Sequence, residues 1–382
     1  MLKTFRYRLY PSKAQAKRLA STLETCRRVY NDCLAERKVA YETEGKTIGK
    51  FEQLRHVKEI KATNPYAKGV HSHVLQVTIS DLDKAFQAFF RRVKQGEKPG
   101  YPRFKGRDRF DSFGLKELGN GFKVDGRRLK ISGVGRIAVR WHRELEGKVK
   151  TIRLVRAAGH WFACFSCEVA VQPPLPATGK SVGLDVGIES ILTTSDGDKV
   201  ENPRWYRGDQ AKLRVVQRRV SRRKKGSRRR RKAIKMLQRH HERTKNRRKD
   251  FLDKLACTLI TTNDVIAIED LQVTNMVRNH HLAKSIMDAS WGYLRQRLEA
   301  KAAEAGRQVI AVPPAYTSKS CSGCGAIFED LKLSTRWVKC CCGLSLDRDH
   351  NAAVNILRRG HLLRESTWAA QEPCVSREAA GL

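Results

Sequence analysis

Apolar and basic residues alternate from the first positions of the chain. Leu2-Lys3-Thr4-Phe5-Arg6-Tyr7-Arg8-Leu9-Tyr10 predicts a strand with one buried face, because successive side chains of a strand point to opposite sides. The period then changes. Ser12, after Pro11, offers an N-cap with Gln15 three residues on, and Leu19, Leu23, Cys26, Tyr30 and Leu34 recur at helical spacing. A second helix is expected from about Ser72 to Val93, with Leu75, Ile79, Leu82, Phe86, Phe89 and Phe90 on its apolar side; a looser Lys-rich segment separates the two. Pro99-Gly100-Tyr101-Pro102 breaks the helical pattern. Short apolar runs divided by turn residues follow, around 122–124, 129–131, 137–141, 149–155 and 161–171. They predict a small antiparallel barrel or sandwich, completed by the strand at 2–10, with the helices as an insertion. Cys164 and Cys167 lie on one of these strands, where positions i and i+3 face opposite ways, so they read as two packed thiols.

Pro173-Pro174-Leu175-Pro176-Ala177 reads as a linker, and a different pattern starts behind it. Ser181-Val182-Gly183-Leu184-Asp185-Val186-Gly187 is a short apolar strand with one carboxylate inside it. Ile191 to Thr194 predicts a second strand, and Asp196-Gly197 a turn into a third. A polar helical stretch follows, divided by Gly226. Asp264-Val265-Ile266-Ala267-Ile268-Glu269-Asp270 is another buried strand, ending in acids. Leu271 to Met287 lacks a pattern and predicts a mobile loop. Tyr293 to Ala305 predicts a helix closed by Gly306, and 307–314 a further strand. No internal repeat is present.

Charge narrows the class. The 382 residues hold 77 Lys plus Arg against 39 Asp plus Glu, a net charge of +38. Twenty of the basic residues fall within 211–250, including Arg222, Arg223 and Arg228, Arg229, Arg230 and Arg231 in succession. A solvated helix face needs far less, so a nucleic acid is the expected partner. No apolar run reaches the roughly 18–20 residues of a membrane span, and the first residues lack a signal-peptide core. The expectation is a soluble cytoplasmic protein without a membrane partner.

Eleven cysteines are present, five of them between Cys321 and Cys342. Cys321-x-x-Cys324-Gly and Cys340-x-Cys342-Gly predict one tetrahedral, four-thiolate zinc site of the ribbon type, structural because no ligand position stays open. Cys341 is a spare thiol or a replacement for Cys340. Three carboxylates stand where secondary structure meets solvent: Asp185 in a strand, Glu269 at a strand end, and Asp349 just before a helix. A buried aspartate on an apolar strand is costly unless paired or metal-bound. The element order is that of ribonuclease-H-like folds, in which the first and fourth strands are neighbours and the last helix packs over them. Three acids gathered there bind two Mg²⁺ for in-line phosphodiester cleavage.

The motifs together resemble the TnpB family, encoded in insertion sequences of the IS200/IS605 group and related to type V CRISPR effectors. Gly183-Leu184-Asp185-Val186-Gly187, Ile268-Glu269-Asp270-Leu271, and the cysteine pairs followed by Asp347-Arg348-Asp349-His350-Asn351-Ala352-Ala353 carry the resemblance. Tyr7-Arg8-Leu9-Tyr10-Pro11, Cys26-Arg27-Arg28-Val29-Tyr30-Asn31 and Gly100-Tyr101-Pro102-Arg103-Phe104-Lys105 extend it over about residues 1–360. It implies an α+β multidomain chain. A wedge β-barrel would hold 1–10 and 99–172, and a helical recognition insertion 11–98. A RuvC-like nuclease domain would hold 178–316 and 344–362, with a zinc ribbon at 317–343, and a disordered tail would follow at 363–382. The implied activity is RNA-guided cleavage of double-stranded DNA beside a short adjacent motif. Its partners would be a transposon-derived guide RNA and target DNA, with the protein monomeric in the RNA complex and nucleoid-associated on DNA. The family's acids fall on Asp185, Glu269 and Asp349, with Asp347 second to Asp349. Backbone phosphate contacts are expected from Arg103, Lys105, Arg107 and the arginines of 211–250, and Tyr101 and Phe104 are candidates for base stacking. The C-x-C spacing of Cys340 and Cys342 departs from the family pattern. Alternative readings are a catalytically silent RNA-guided repressor and a strand-transfer transposase.

Overall fold

The computed structural model describes residues 1–369 except 108, 330 and 333, with the backbone alone for 367–369. The chain divides after Val171 into two compact units.

The first unit opens with strand β1 (Leu2–Tyr10) and helix α1 (Lys13–Glu44). Ser12 and Gln15 form a reciprocal cap: the Gln15 amide donates to Ser12 Oγ at 3.3 Å, and the Ser12 amide donates to Gln15 Oε1 at 2.9 Å. Two of the amides that a helix start leaves unpaired are thereby satisfied. The Lys-rich segment is not loose. It forms three short helices, α2 (Lys50–Arg55), α3 (Val57–Thr63) and α4 (Pro65–Lys68), before α5 (Ser72–Lys94). A buried bridge holds the first of them: Arg37 donates from Nε to Gln53 Oε1 at 2.8 Å, and Gln53 donates to the Cys33 carbonyl at 2.9 Å.

Seven strands complete this unit: β2 (Ser112–Leu115), β3 (Glu117–Leu118), β4 (Gly121–Asp125), β5 (Arg128–Ile131), β6 (Gly135–Arg140), β7 (Lys148–Ala157) and β8 (His160–Glu168). They form one sheet with β1, in the order β2-β7-β8-β1-β6-β5-β4-β3. All pairings are antiparallel except β3 with β4. The end strand β3 returns against β7, so the sheet is strongly curled. Phe5, Tyr7 and Leu9 of β1 are buried while their neighbours are not, as the alternation requires. Cys164 and Cys167 belong to no metal-holding group among the described residues.

The second unit contains β9 (Ser181–Asp185), β10 (Ser190–Thr194), β11 (Lys199–Glu201), α6 (Trp205–Ser221), α7 (Arg228–Thr262), β12 (Val265–Glu269), α8 (Val273–Met276), α9 (Ala283–Ala289), α10 (Trp291–Ala305), β13 (Gln308–Val312), β14 (Trp337–Lys339), β15 (Ser345–Asp347) and α11 (Arg348–Ala369). Five strands make a mixed sheet in the order β11-β10-β9-β12-β13, with β9, β12 and β13 parallel. Helices cover both faces, so β12 is buried at all five positions, as a parallel strand between two layers must be. Ile266 and Ile268 face the core that includes Leu252, Leu259, Leu294 and Leu298; Ala267 faces the α11 side with Ile356. The stretch 271–287, expected as an unpatterned loop, carries α8 and α9; two helices of four and seven residues are too short to show a period. Helix α11 continues through Ala369, beyond the expected end at 362, and 370–382 lies outside the described residues. The hairpin of β14 and β15 pairs Trp337 with Asp347 and so runs past 343, directly up to α11. No helix of the described residues is long and apolar enough to cross a membrane.

Candidate active site

Strands β9 and β12 run parallel in the register Ser181–Val265, Val182–Ile266, Gly183–Ala267 and Leu184–Ile268. The next step of that register sets Asp185 beside Glu269. Both close their strands, and both follow by two residues a small residue, Gly183 or Ala267, that faces α11. A period of two therefore puts the two carboxylates on the α11 side as well. The helix is seated there by the absence of side chains. A Cβ at Gly183 would stand 2.1 Å from the Ala353 carbonyl oxygen, and one at Gly360 would stand 2.6 Å from the Ala267 Cβ. Asp349 lies one turn, about 6 Å, before Ala353; Asp185 lies about 7 Å beyond Gly183. The close seat thus delivers Asp349 to the end of the sheet where Asp185 and Glu269 stand.

Electrostatics report the same gathering. Burial, with the charges of Glu269 and Asp349 next, pushes the Asp185 carboxyl up to about 8, against a smaller opposing effect of Arg348. Burial also raises Glu269, which is 8% exposed; the Thr317 hydroxyl and Arg359 oppose that rise. The charges of Glu269 and Asp349 thus crowd Asp185, a buried carboxylate that a divalent cation would balance.

The other acids nearby have partners. Asp347 accepts from the amides of Asp349 at 3.0 Å and His350 at 3.2 Å, capping α11, and pairs with Lys199 at 2.8 Å. Burial works against its charge, but Lys199 and the two amides outweigh that and hold its carboxyl below the usual range. Asp270 is bound by Arg295. Asp349 has a looser cationic partner, Arg348 at 3.4 Å, so the close pairing with Lys199 and Arg295 is what separates Asp347 from Asp349 and Asp270 from Glu269.

Cys321, Cys324, Cys340 and Cys342 bring their sulfurs within 4.8 Å of one another. The Cys321–Cys342 and Cys324–Cys340 sulfur distances are 3.7 and 3.5 Å, near the roughly 3.8 Å edge of a tetrahedron with 2.3 Å metal–sulfur arms. Cys341 stays outside this group, 3.9 Å from Cys340. Burial opposes the Cys321 thiolate, but the Cys324 and Gly323 amides prevail and hold the thiol down at about 7. The donor set fits one tetrahedral soft-ligand metal such as zinc.

Three further polar residues lie between these two sites, and the sequence reading had passed over them. Thr317, Asn351 and Asn355 are 1%, 0% and 6% exposed. Thr317 donates to Glu269, and its carbonyl accepts from Asn355 at 2.9 Å. The spacing of Asn351 and Asn355, one helical turn apart with the apolar Ala352, Ala353 and Val354 between them, was the available signal.

Arg103 and Arg107 are exposed in the first unit, whereas Lys105 is partly buried, its amide donating to Asn31 at 2.8 Å. Tyr101 packs edge-on against Phe86 and Phe89 and keeps 45% exposure; Phe104 keeps 55%. In the second unit Arg222 closes α6, Arg223 follows it, and Arg228 to Arg231 open α7. Arg222, Arg228, Arg229 and Arg231 are exposed, and Arg223 and Arg230 partly so.

Comparison with known proteins follows these divisions. Residues 164–280 match the OrfB_IS605 family, described as a probable transposase. Residues 291–356 match the Cas12f1-like TNB domain, and 1–46 a helix-turn-helix domain of the same OrfB_IS605 group. A protein of Streptomyces pristinaespiralis, named provisionally an RNA-guided DNA endonuclease, is 37% identical over 94% of this chain and 89% of its own length. InsQ of Escherichia coli K12, named provisionally in the same way, is 31% identical over 94% of this chain and 92% of its own. A TnpB-like protein of Methanocaldococcus jannaschii is 30% identical over 47% of this chain and 43% of its own. Among solved structures, the Cas12f1 chain of a complex with sgRNA and target DNA superposes with a TM-score of 0.59 at 14% identity, over 93% of this chain and 98% of that one, a likeness of fold. With transposon-type profiles on both units and full-length relatives above 30% identity, the chain belongs to the TnpB family.

Proposed function

We propose that this protein is an RNA-guided DNA endonuclease whose single nuclease centre is Asp185, Glu269 and Asp349. The observation that carries the reading is the convergence of these three carboxylates, from β9, β12 and α11, at one end of the parallel strands of a mixed sheet. The strand order β11-β10-β9-β12-β13 with a helix over the middle supports a RuvC-like assignment of this domain. The names of the full-length relatives support the guide and the DNA target.

Two Mg²⁺ bound by these acids would activate a water and stabilise the leaving oxygen of an in-line displacement. The chain supplies the rest. Asp185 and Glu269 hold fixed positions because both end neighbouring strands. Asp349 is aimed by the seat of α11 on Gly183. A structural Zn²⁺ on Cys321, Cys324, Cys340 and Cys342 holds the ribbon ahead of α11. Exposed arginines at Arg222, Arg223 and Arg228 to Arg231, with Arg103, Lys105 and Arg107, suit nucleic-acid backbone, which carries no sequence information. Sequence reading is left to a transposon-derived guide RNA, and a short duplex motif beside the target is read by the first unit. Such a division between pairing and protein is general for RNA-guided effectors.

The test uses the full chain with the RNA that copurifies with it. Asp185→Ala, Glu269→Ala and Asp349→Ala should each abolish cutting of target DNA in Mg²⁺ while retaining RNA binding. Wild-type cutting by Asp349→Ala would overturn its assignment and move the role to Asp347. A parent protein that binds target through its RNA without cutting would favour the silent repressor, and joined strands would favour the transposase.

A further inference from the structure

A continuous set of hydrogen bonds runs from the cysteine cluster to Glu269. The Ser322 amide, between Cys321 and Cys324, donates to Asn351 Oδ1 at 2.8 Å, and Asn351 Nδ2 donates to the Ser320 carbonyl at 2.8 Å. Asn355, one turn along α11, donates to the same Ser320 carbonyl at 2.7 Å and to the Thr317 carbonyl at 2.9 Å. The strap 317–322 is therefore fastened to α11 at three backbone groups by two buried amide side chains. Thr317 then reaches back through its hydroxyl to Glu269 Oε1 and lies 3.0 Å from the Pro314 carbonyl. Among the described residues this hydroxyl is the side-chain hydrogen-bond partner of Glu269, on which Arg359 acts through its charge. A carboxylate has two oxygens and a free torsion about its last bond, so fixing one oxygen fixes the direction of the other.

We propose that Thr317 is a positioning residue for the nuclease centre: its hydroxyl fixes Glu269 Oε1, and the asparagine-held strap transmits the geometry of the cysteine knuckle to that carboxylate. The inference rests on the nuclease reading of Glu269 and names what orients it. The knuckle then has two tasks, holding a small hairpin together and keeping the strap at the height where Thr317 meets the acid. Hydrogen-bond partners that orient a metal-binding side chain typically change metal affinity by about 10–100-fold when removed.

The experiment compares Thr317→Val, which keeps the shape and removes the hydroxyl, with Thr317→Ser, which keeps the hydroxyl. Three quantities are read on the RNA-bound full chain: zinc content, Mn²⁺ affinity by electron paramagnetic resonance without target DNA, and the Mg²⁺ concentration for half-maximal cutting. Thr317→Val should keep its zinc, bind Mn²⁺ about tenfold more weakly and need about tenfold more Mg²⁺, with Thr317→Ser near the parent in all three. A merely structural threonine would lower the melting temperature without moving the metal dependence. Parent-like Mn²⁺ and Mg²⁺ dependence in Thr317→Val overturns the proposal, as does a tenfold loss shared by Thr317→Ser. Should Thr317→Val fail to fold, Thr317→Ala stands in its place with the same expected values. If the parent itself never cuts, the nuclease reading fails, while Mn²⁺ affinity still decides the positioning role.

Discussion

Asp185 carries an imbalance that is measurable without any substrate. Its folded carboxyl titrates at about 8, raised by burial and by the charges of Glu269 and Asp349, whereas an unfolded aspartate titrates near 4. A raised folded pKa contributes stability that is fully present below the unfolded value and lost as pH rises through the folded one. The contribution of Asp185 to the stability of the metal-free chain should therefore fall as pH rises from about 4 to about 8. Asp185→Asn should flatten that slope and raise the metal-free melting temperature at pH 8.5 by several degrees, read by calorimetry; an unchanged slope would contradict the burial and charge crowding of Asp185. Because a cation must displace the same proton, the Mg²⁺ needed for half-maximal cutting should fall as pH climbs toward 8. Asp347 answers a different need. As the cap of α11, its replacement by Ala should cost about 1 kcal/mol of stability in denaturant titration, and Asp347→Asn, still an acceptor, much less.

At the scale of elements, the contact of α11 with β9 decides the site. Gly183→Ala puts a methyl into the Ala353 carbonyl, and overpacking of this kind costs about 1–3 kcal/mol. It should also lift Asp349 away and lower cutting more than stability. Gly208→Ala in α6 has nothing within 4 Å of the added methyl and should stabilise by about 0.5–1 kcal/mol, since helix propensity is then the sole change. Cys321→Ser should lose the knuckle metal, read as zinc content, and lower the melting temperature; unchanged zinc would refute the ligand set. Much of this was legible in the chain. The strand at 181–185 announced itself because one aspartate interrupts an apolar run, and α1 because Ser12 and Gln15 stand at capping distance. The three acids could be paired because strand order follows from element order. Thr317, Asn351 and Asn355 were illegible because their partners lie 29 to 48 residues away, and an isolated polar residue looks the same in a loop as in a buried bridge. The helices between 50 and 68 were missed for another reason: each is at most seven residues, two turns, and the first is held by Arg37 and Gln53 instead of by its own apolar stripe.

For the molecule as a whole, +38 is a prediction about salt. Each phosphate contact changes the slope of log affinity against log salt by about 0.7–0.9. Replacing Arg228, Arg229, Arg230 and Arg231 together with Ala should then reduce the magnitude of the RNA-binding slope by about 3, measured by filter binding between 50 and 300 mM salt, while a slope equal to the parent's would exclude this helix start from the interface. The first unit has a consequence of another kind. Its earliest strand, β1, lies between β8 and β6, so it cannot pair on either edge before β6 (Gly135–Arg140) has left the ribosome, nor on both before β8 (His160–Glu168) has. Until then β1 waits with both edges open, with Arg6 and Arg8 on its unburied side. Strand edges of that sort invite pairing with other chains, and long-range pairing is slow. Charge on an open edge opposes such pairing, so replacing Arg6 and Arg8 with Thr or Val should show first as aggregation during expression.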